Sequence, residues 1–169
     1  MIERSAASQF LYEKLKASEW DFRLARHHAE HLLKKKWHKS FPEMRGEVYC
    51  HQAAYTSALV VAYGRPFTKG YGWPRLPSEL HAYDAVEVEL HKRMIEKRDK
   101  MYAHTDSATY HAQSSRVVSL KANEKSPLGT FYLYPTYRIT ASEAKLLVTM
   151  ISKVLNAIGE RVRELEEKH

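Results

Sequence analysis

Seven consecutive residues near the middle of the chain, 98–104, bring together a fixed cation, a carboxylate and a titratable imidazole. Arg98 is permanently charged, and its planar set of donors fits a phosphate group. His104 follows six residues later and can take up and release a proton near neutral pH. Asp99 stands next to the arginine and can hydrogen-bond either group. A phosphate-holding cation and a proton-transfer group together suffice for chemistry on RNA without a metal ion.

In such a reaction the 2′-hydroxyl of a ribose attacks the adjacent phosphorus and leaves a 2′,3′-cyclic phosphate and a 5′-hydroxyl. His104 could act as the base or the acid, because the reference pKa of histidine is about 6.5. Arg98 would hold the phosphate while negative charge builds up on its oxygens. Asp99 would fix the geometry of the pair. These residue types would allow such catalysis with neither a metal ion nor a cofactor. The alternative is that Arg98 and Asp99 belong to a solvated helix face and that His104 is a capping residue near the negative end of the helix dipole.

The two main side chains are poorly placed for each other within one regular helix. Six residues advance the helix by roughly 600°, which leaves the side chains about 120° apart around the axis and about 9 Å apart along it. They can converge if the helix unwinds near His104, or if two subunits meet and each supplies a pair. Arg98 lies four residues after Met94 and three before Met101, at the margin of an apolar stripe. This position favours an interface, so we predict a homodimer.

Helical patterns surround this segment on both sides. Apolar residues three and four apart predict helices over about 3–36, 47–63 and 78–103, and a last helix that begins near Thr140 or Ser142. Gly64 is expected to end the second helix, and Ser78 to cap the third. The predicted inward stripe of the third helix is Tyr83, Val86, Leu90, Met94 and Met101.

A β element is predicted between the last two helices. The segments 116–121 and 130–134 carry β-branched and aromatic residues around a Pro/Gly connection, which favours a small hairpin at about 116–134. The overall prediction is an all-α bundle of four to five helices with this hairpin, folded as one domain over residues 1–169.

Composition narrows the class of protein. The 27 Lys and Arg residues outnumber the 20 Asp and Glu residues, for a net charge of +7, which favours a polyanionic partner such as RNA. No apolar run is long enough to cross a bilayer, and the first residues lack the apolar core of a signal peptide. The single cysteine, Cys50, excludes an intrachain disulfide and a cysteine-rich zinc site. These features predict a soluble cytoplasmic protein without membrane partners.

The string Arg98-Asp99-Lys100-Met101-Tyr102-Ala103-His104-Thr105-Asp106 resembles the Arg-x(4–6)-His motif of the HEPN (higher eukaryotes and prokaryotes nucleotide-binding) superfamily. The earlier string Tyr63-Gly64-Arg65-Pro66-Phe67-Thr68, ahead of a long helix, is similar to the abortive-infection (Abi) subgroup of that superfamily. The resemblance extends over roughly residues 5–165 in helix order and motif placement.

The resemblance implies a helical domain that dimerises through the motif face. Many members of the superfamily are metal-independent endoribonucleases of phage defence or toxin–antitoxin systems. By position, Arg98 and His104 become the catalytic pair and Asp99 the residue that orients them. The alternative is a catalytically inactive HEPN module that binds RNA or a partner protein such as an antitoxin. A basic helical scaffold without any RNA role is a third interpretation.

Four further residues are predicted to bind substrate. His91 lies seven residues before Arg98, about 20° away around the helix, and so could line the same cleft. Tyr102 could stack on the arginine or on a base, although packing in the bundle is an equal alternative. Lys97 and Lys100 add positive charge beside the pair.

Two other clusters contain residue types that are typical of a metal site or of an RNA-contacting surface. His27 and His31 are four residues apart, but no third ligand stands at a recognisable spacing, so no metal site is predicted. The cluster Lys34-Lys35-Lys36-Trp37-His38-Lys39 has the basic and aromatic character of an RNA-contacting surface. Since cations also suit the negative end of a helix dipole, a solvated helix end is the favoured interpretation of this cluster.

Overall fold

Four α-helices make up most of the part of the chain that the computed structural model describes, which is residues 6–39, 47–69, 72–103, 113–115, 131–133 and 138–167. The helices are α1 (Ala6–Lys34), α2 (Glu47–Gly64), α3 (Ala85–Lys97) and α4 (Ala141–Glu167). The prediction of a mostly helical, all-α fold is confirmed.

The two long helices carry most of the core. Helix α1 packs against both α2 and α4. Both helices were predicted from apolar residues three and four apart, and most of these residues are buried. The buried ones are Leu15, Phe22, Ala25, Ala29 and Leu32 on α1, and Leu147, Ile151, Val154, Ile158, Val162 and Leu165 on α4.

Helix α2 ends at Gly64 as predicted, but not for the predicted reason. The φ angle of Gly64 is −79°, in the right-handed region, so the glycine does not form a left-handed cap. The chain continues directly into a 3₁₀ turn, Arg65–Phe67. Pro66 suits the start of that turn because it has no backbone N–H to leave unpaired.

The predicted start of the third helix is wrong by seven residues. Ser78 belongs to a separate 3₁₀ turn, and α3 begins only at Ala85. Asp84 is the cap: its Oδ1 accepts hydrogen bonds from the backbone N–H groups of Val86 and Glu87, each at 2.9 Å. The Glu87 side chain accepts in return from the Asp84 N–H at 3.1 Å, which completes a capping box.

This start changes which residues α3 buries. Val86, predicted to face inward, is 67% exposed, whereas Glu87 is buried. The Glu87 carboxylate is paired with Nζ of Lys153 on α4 at 2.5 Å, so its charge is not left uncompensated. This ion pair joins α3 to α4. The apolar residues Leu90 and Met94 of α3 are buried, as predicted.

A short antiparallel pair of strands, β1 (Gln113–Ser115) and β2 (Phe131–Leu133), lies between α3 and α4 in the sequence. Gln113 pairs with Leu133, and Ser115 with Phe131. The segment 116–121, predicted as the first hairpin strand, lies outside the described residues together with the connection. The hairpin at about 116–134 therefore stays a prediction.

A search for membrane-spanning helices finds none among the described residues, since no helix there combines the necessary length and apolarity.

Gly159, in the interior of α4, offers a direct test of the helix packing. A Cβ atom built at this position meets nothing within 4 Å. Because alanine loses less backbone entropy than glycine in a helix, Gly159→Ala is expected to raise the free energy of unfolding by about 0.5–1 kcal/mol. Urea unfolding followed by circular dichroism measures the change. A loss of stability would show that α4 is packed more tightly here than described.

Candidate active site

The helix changes from α to π geometry at the first residue of the predicted catalytic segment. Helix α3 ends at Lys97, and residues Arg98–Ala103 form a π-helical turn. Such turns are rare and occur frequently at functional sites. The backbone of Tyr102 belongs to this turn, and His104 lies outside the described residues. The segment therefore departs from regular α geometry from Arg98 onward, whereas the predicted unwinding near His104 lies outside the described residues.

Arg98 is held against the end of α2 by its aliphatic stem. A Cβ atom at Gly64 would lie 2.9 Å from Cδ and 3.0 Å from Cγ of Arg98, so only glycine leaves room for this contact. The Arg98 side chain is 25% exposed, and its Nη1 donates a hydrogen bond to Oδ1 of Asp99 at 2.8 Å. Each of the two strings that carry the family resemblance thus contributes one residue to the contact between Gly64 and Arg98. The guanidinium of Arg98 is oriented by the carboxylate of Asp99.

An open groove of about 420 Å³ runs along one face of α3 into the π-turn. Three of the predicted site residues line it: His91, Asp99 and Lys100. Lys100 is paired with Glu96, another lining residue, at 2.5 Å. Residues 91, 95 and 99 form one row of lining side chains, and residues 92, 96 and 100 form the row beside it. Each row lies on one side of the helix because a step of four residues returns to nearly the same side. Arg98 does not line the groove itself and adjoins it through its hydrogen bond to Asp99.

Lys97 is placed elsewhere. Its Nζ lies 3.4 Å from the backbone carbonyl oxygen of Arg138, near the start of α4, rather than among the groove residues. Burial lowers the pKa of Lys97, and the carboxylate of Glu143 opposes that shift. The structure therefore does not bring Lys97 together with the other predicted substrate-binding residues.

His91 connects the groove to a cluster of aromatic side chains. Its Nδ1 lies 3.0 Å from the hydroxyl oxygen of Tyr63, and its ring packs on Phe67, His81 and Tyr83. Burial, with a smaller contribution from His81, lowers the pKa of His91 to about 4. The imidazole is therefore neutral near pH 7. If Tyr63 donates to Nδ1, the proton of the neutral ring is on Nε2, and His91 can offer a ligand one N–H donor.

The contact between Tyr63 and His91 was missed by the sequence analysis. Tyr63 and Phe67 were noted only as members of the string that carries the family resemblance, and neither was predicted as a site residue. The hydroxyl of Tyr63 lies 3.4 Å from that of Tyr83, and burial raises its pKa well above the usual value. A sequence signal did exist, because Tyr63 and Phe67 border Gly64 in the string Tyr63-Gly64-Arg65-Pro66-Phe67. Nothing in that string, however, identifies His91 as the partner.

Replacing His91 with phenylalanine is expected to make stability less sensitive to acid. The unfolded chain titrates this imidazole at about 6.5 and the folded chain at about 4, so the unfolded state binds more protons between these values. The stability contributed by neutral His91 is complete above pH 6.5 and is lost as the pH falls toward 4. We expect a difference on the order of 2 kcal/mol between wild type and variant, reduced from the full shift by partial exposure.

Urea unfolding of both proteins at a series of pH values between 4 and 8 measures this effect. The other histidines are present in both chains and cancel in the comparison. Parallel stability profiles for wild type and His91→Phe would contradict the burial of a neutral imidazole.

The described residues were also searched for metal ligands. Within them, no group of three or more His, Cys, Asp or Glu side chains is arranged to hold a metal ion. His27 and His31 lie with ring centroids 6.1 Å apart, and His31 stacks on Tyr55.

Comparison with known proteins gives no match for this chain, whether to protein-family models, to curated proteins or to solved structures.

Proposed function

We propose that the protein is a metal-independent endoribonuclease of the HEPN type, with Arg98 and His104 as the catalytic pair. The observation that carries this proposal is the position of Arg98. Its stem is held against Gly64, its guanidinium is bonded to Asp99, and it begins a π-turn at the end of an open groove. A buried stem and an oriented fork are what a phosphate-binding arginine needs, because a preorganised donor loses little entropy on binding.

In the proposed reaction the phosphate next to the scissile bond sits on the Arg98 guanidinium. His104 accepts the proton of the attacking 2′-hydroxyl, and a second imidazole delivers a proton to the leaving 5′-oxygen. Asp99 keeps the guanidinium oriented until the phosphate competes for it. His91, a neutral ring in the groove, binds the strand through the ring nitrogen that does not contact Tyr63 and does not transfer protons.

The proposed active unit is a homodimer in which the two motif segments share one cleft. This arrangement supplies the second imidazole, and it places Arg98 of one subunit beside His104 of the other. It is testable by mixing equal amounts of wild-type and His104→Ala protein. A cleft that needs the imidazoles of both subunits is inactive in a mixed dimer, so after random exchange the activity should fall to about half of that of the same amount of wild type alone. Unchanged activity would place each working site within a single subunit.

The cleavage assay itself uses a labelled single-stranded RNA in the presence of EDTA. Wild-type protein is expected to cut the RNA, and both Arg98→Ala and His104→Ala are expected to slow cutting by about 100-fold or more. Lys145→Ala, which removes an exposed lysine on α4, serves as the charge-matched control and should remain active. RNA binding by the wild type without any cleavage would instead support the inactive HEPN module as the function.

The wider role that we propose follows the same resemblance. A basic RNA-cleaving protein of this type would act in the cytoplasm of a bacterium in phage defence or as a toxin, and a partner protein such as an antitoxin would restrain it. Co-purification of a partner that blocks cleavage in the assay above would test this role.

A further inference from the structure

A second basic surface lies at the other end of α2 from Arg98. It is formed by three consecutive lysines, Lys34–Lys36, which we call the lysine turn, and by four rings, which we call the ring cluster. The members of the ring cluster are His31, Trp37, His51 and Tyr55. Because cations suit the end of a helix, a solvated helix end was the favoured interpretation of this region. Two features of the structure favour a binding surface instead.

The first feature is the backbone of Lys36. Its φ angle is +57°, in the left-handed region where glycine is the usual residue. The N–H of Trp37 bonds the carbonyl oxygen of Leu32 at 2.9 Å, and the N–H of Lys36 bonds that of Leu33 at 3.1 Å. These two bonds define a Schellman motif that ends α1, with Lys36 at the position where glycine is preferred. The chain thus carries a cation at a position where glycine would be less strained, which points to a use for the lysine side chain.

The second feature is the ring cluster beside the lysines. The rings of His31 and Tyr55 are stacked at 4.4 Å with an angle of 9°, and Trp37 packs on both at 5.3 Å. His51, which is exposed, lies 5.2 Å from Trp37. A helix end that needed only solvation would not require a stack of half-exposed rings. Ring faces next to cations are the arrangement by which proteins hold single-stranded nucleic acids.

The charges of the lysine turn are available to a ligand. All three lysines are exposed, and among the described residues none of them is paired with a carboxylate. Their effect on the surroundings is visible at His31, whose pKa is lowered by desolvation and then by Lys35, His27 and Lys34. A phosphate placed here would therefore relieve repulsion between positive groups.

We propose that the lysine turn and the ring cluster form a binding site for single-stranded nucleic acid, in which the lysines contact phosphates and the rings stack on bases. The site is separate from the Arg98 groove and does not depend on cleavage. Tyr55 and Gly64 are nine positions apart on α2, which places them about 14 Å apart along the helix and roughly 180° apart around it. Only a strand that passes around α2 could therefore contact both regions.

The test measures the fluorescence anisotropy of labelled 12-nucleotide strands at several salt concentrations. The strands are 2′-O-methyl oligouridine, which cannot undergo 2′-hydroxyl attack, and oligothymidine, so that RNA and DNA are distinguished without cleavage. Lys36→Gly is expected to weaken binding about three- to tenfold and to reduce the slope of log affinity against log salt by about 0.7, the value for one phosphate contact on a single strand. The same variant should melt at a temperature a few degrees higher, because glycine relieves the left-handed residue.

Trp37→Leu is expected to weaken binding about fivefold or more without changing the salt slope, since stacking involves no counterion release. His51→Ala removes an exposed ring of the cluster without disturbing the core, and it should also weaken binding without changing the salt slope. Lys145→Ala provides the control for loss of charge and should leave both affinity and slope unchanged. A 12-base-pair duplex should bind more weakly than either strand, because its bases are not free to stack.

Three results would overturn the proposal. The first is an unchanged affinity and salt slope in Lys36→Gly. The second is equal binding of duplex and single strand combined with no effect of Trp37→Leu or His51→Ala. The third is Lys36-dependent binding to vesicles of phosphatidylserine and phosphatidylcholine without binding to the oligonucleotides, which would identify the surface as a lipid contact.

Discussion

Replacement of Arg98 by alanine is expected to slow RNA cleavage by about 100- to 1000-fold while the protein remains folded. This is the usual loss when a preorganised donor to the developing charge is removed. The side chain is three-quarters buried and packs on Gly64, so some stability should also be lost through its stem. The rate should be measured under single-turnover conditions, and circular dichroism should show that the helices persist.

Arg98→Lys separates charge from geometry in the same experiment. Lysine keeps most of the stem and the positive charge but lacks the planar fork, so we expect it to restore only part of the lost rate. Full activity in Arg98→Lys would indicate that the site needs only a cation. Full activity in Arg98→Ala would remove Arg98 from the mechanism altogether.

Gly64→Ala is expected to lower the cleavage rate by about 10- to 100-fold, although the substitution removes no catalytic group. The new Cβ atom would lie 2.9 Å from Cδ and 3.3 Å from Cβ of Arg98, so the stem as well as the tip of the arginine must move. A displacement of about 1 Å in a positioned group is enough to produce a loss of this size. Stability should fall at the same time, because the contact becomes overpacked.

Gly159→Ala is the matched control for this variant. It introduces the same methyl group into a helix at a position where the group meets nothing within 4 Å. We expect it to keep full cleavage activity. If Gly64→Ala also kept full activity, the packing of Arg98 on α2 would have no part in catalysis.

How much of the fold could be predicted depended on the length of each pattern. The apolar stripes of α1 and α4 each extend over about five turns, so both helices were predicted correctly. Helix α3 is only 13 residues long, and two signals competed for its start. Ser78 resembles an N-cap, but Asp84 and Glu87 form the capping box at which the helix begins. The buried carboxylate of Glu87 also forms an ion pair with Lys153 on α4. That pairing is tertiary and leaves no trace in local periodicity.

The candidate site shows the same limit. Arg98, Asp99, His91 and Lys100 were identified from residue type and spacing, and the structure places three of these, Asp99, His91 and Lys100, along one groove. The partners that hold them were not predicted. Gly64 was interpreted as a helix stop because a glycine at a helix end usually has that role, whereas here it makes room for the stem of Arg98. Tyr63 was noted only as a member of the string that contains Gly64, and its bond to His91 depends on how α2 and α3 pack.

The analysis of the cleavage product tests the central claim most directly. A single-stranded RNA treated with the wild-type protein in EDTA should yield fragments that end in a 2′,3′-cyclic phosphate, paired with fragments that begin with a 5′-hydroxyl, as identified by mass spectrometry. The same strand with a 2′-deoxyribose at the cleaved position should resist cutting there. Fragments with a 5′-phosphate, or cleavage that persists at the deoxyribose, would contradict 2′-hydroxyl attack assisted by Arg98 and His104.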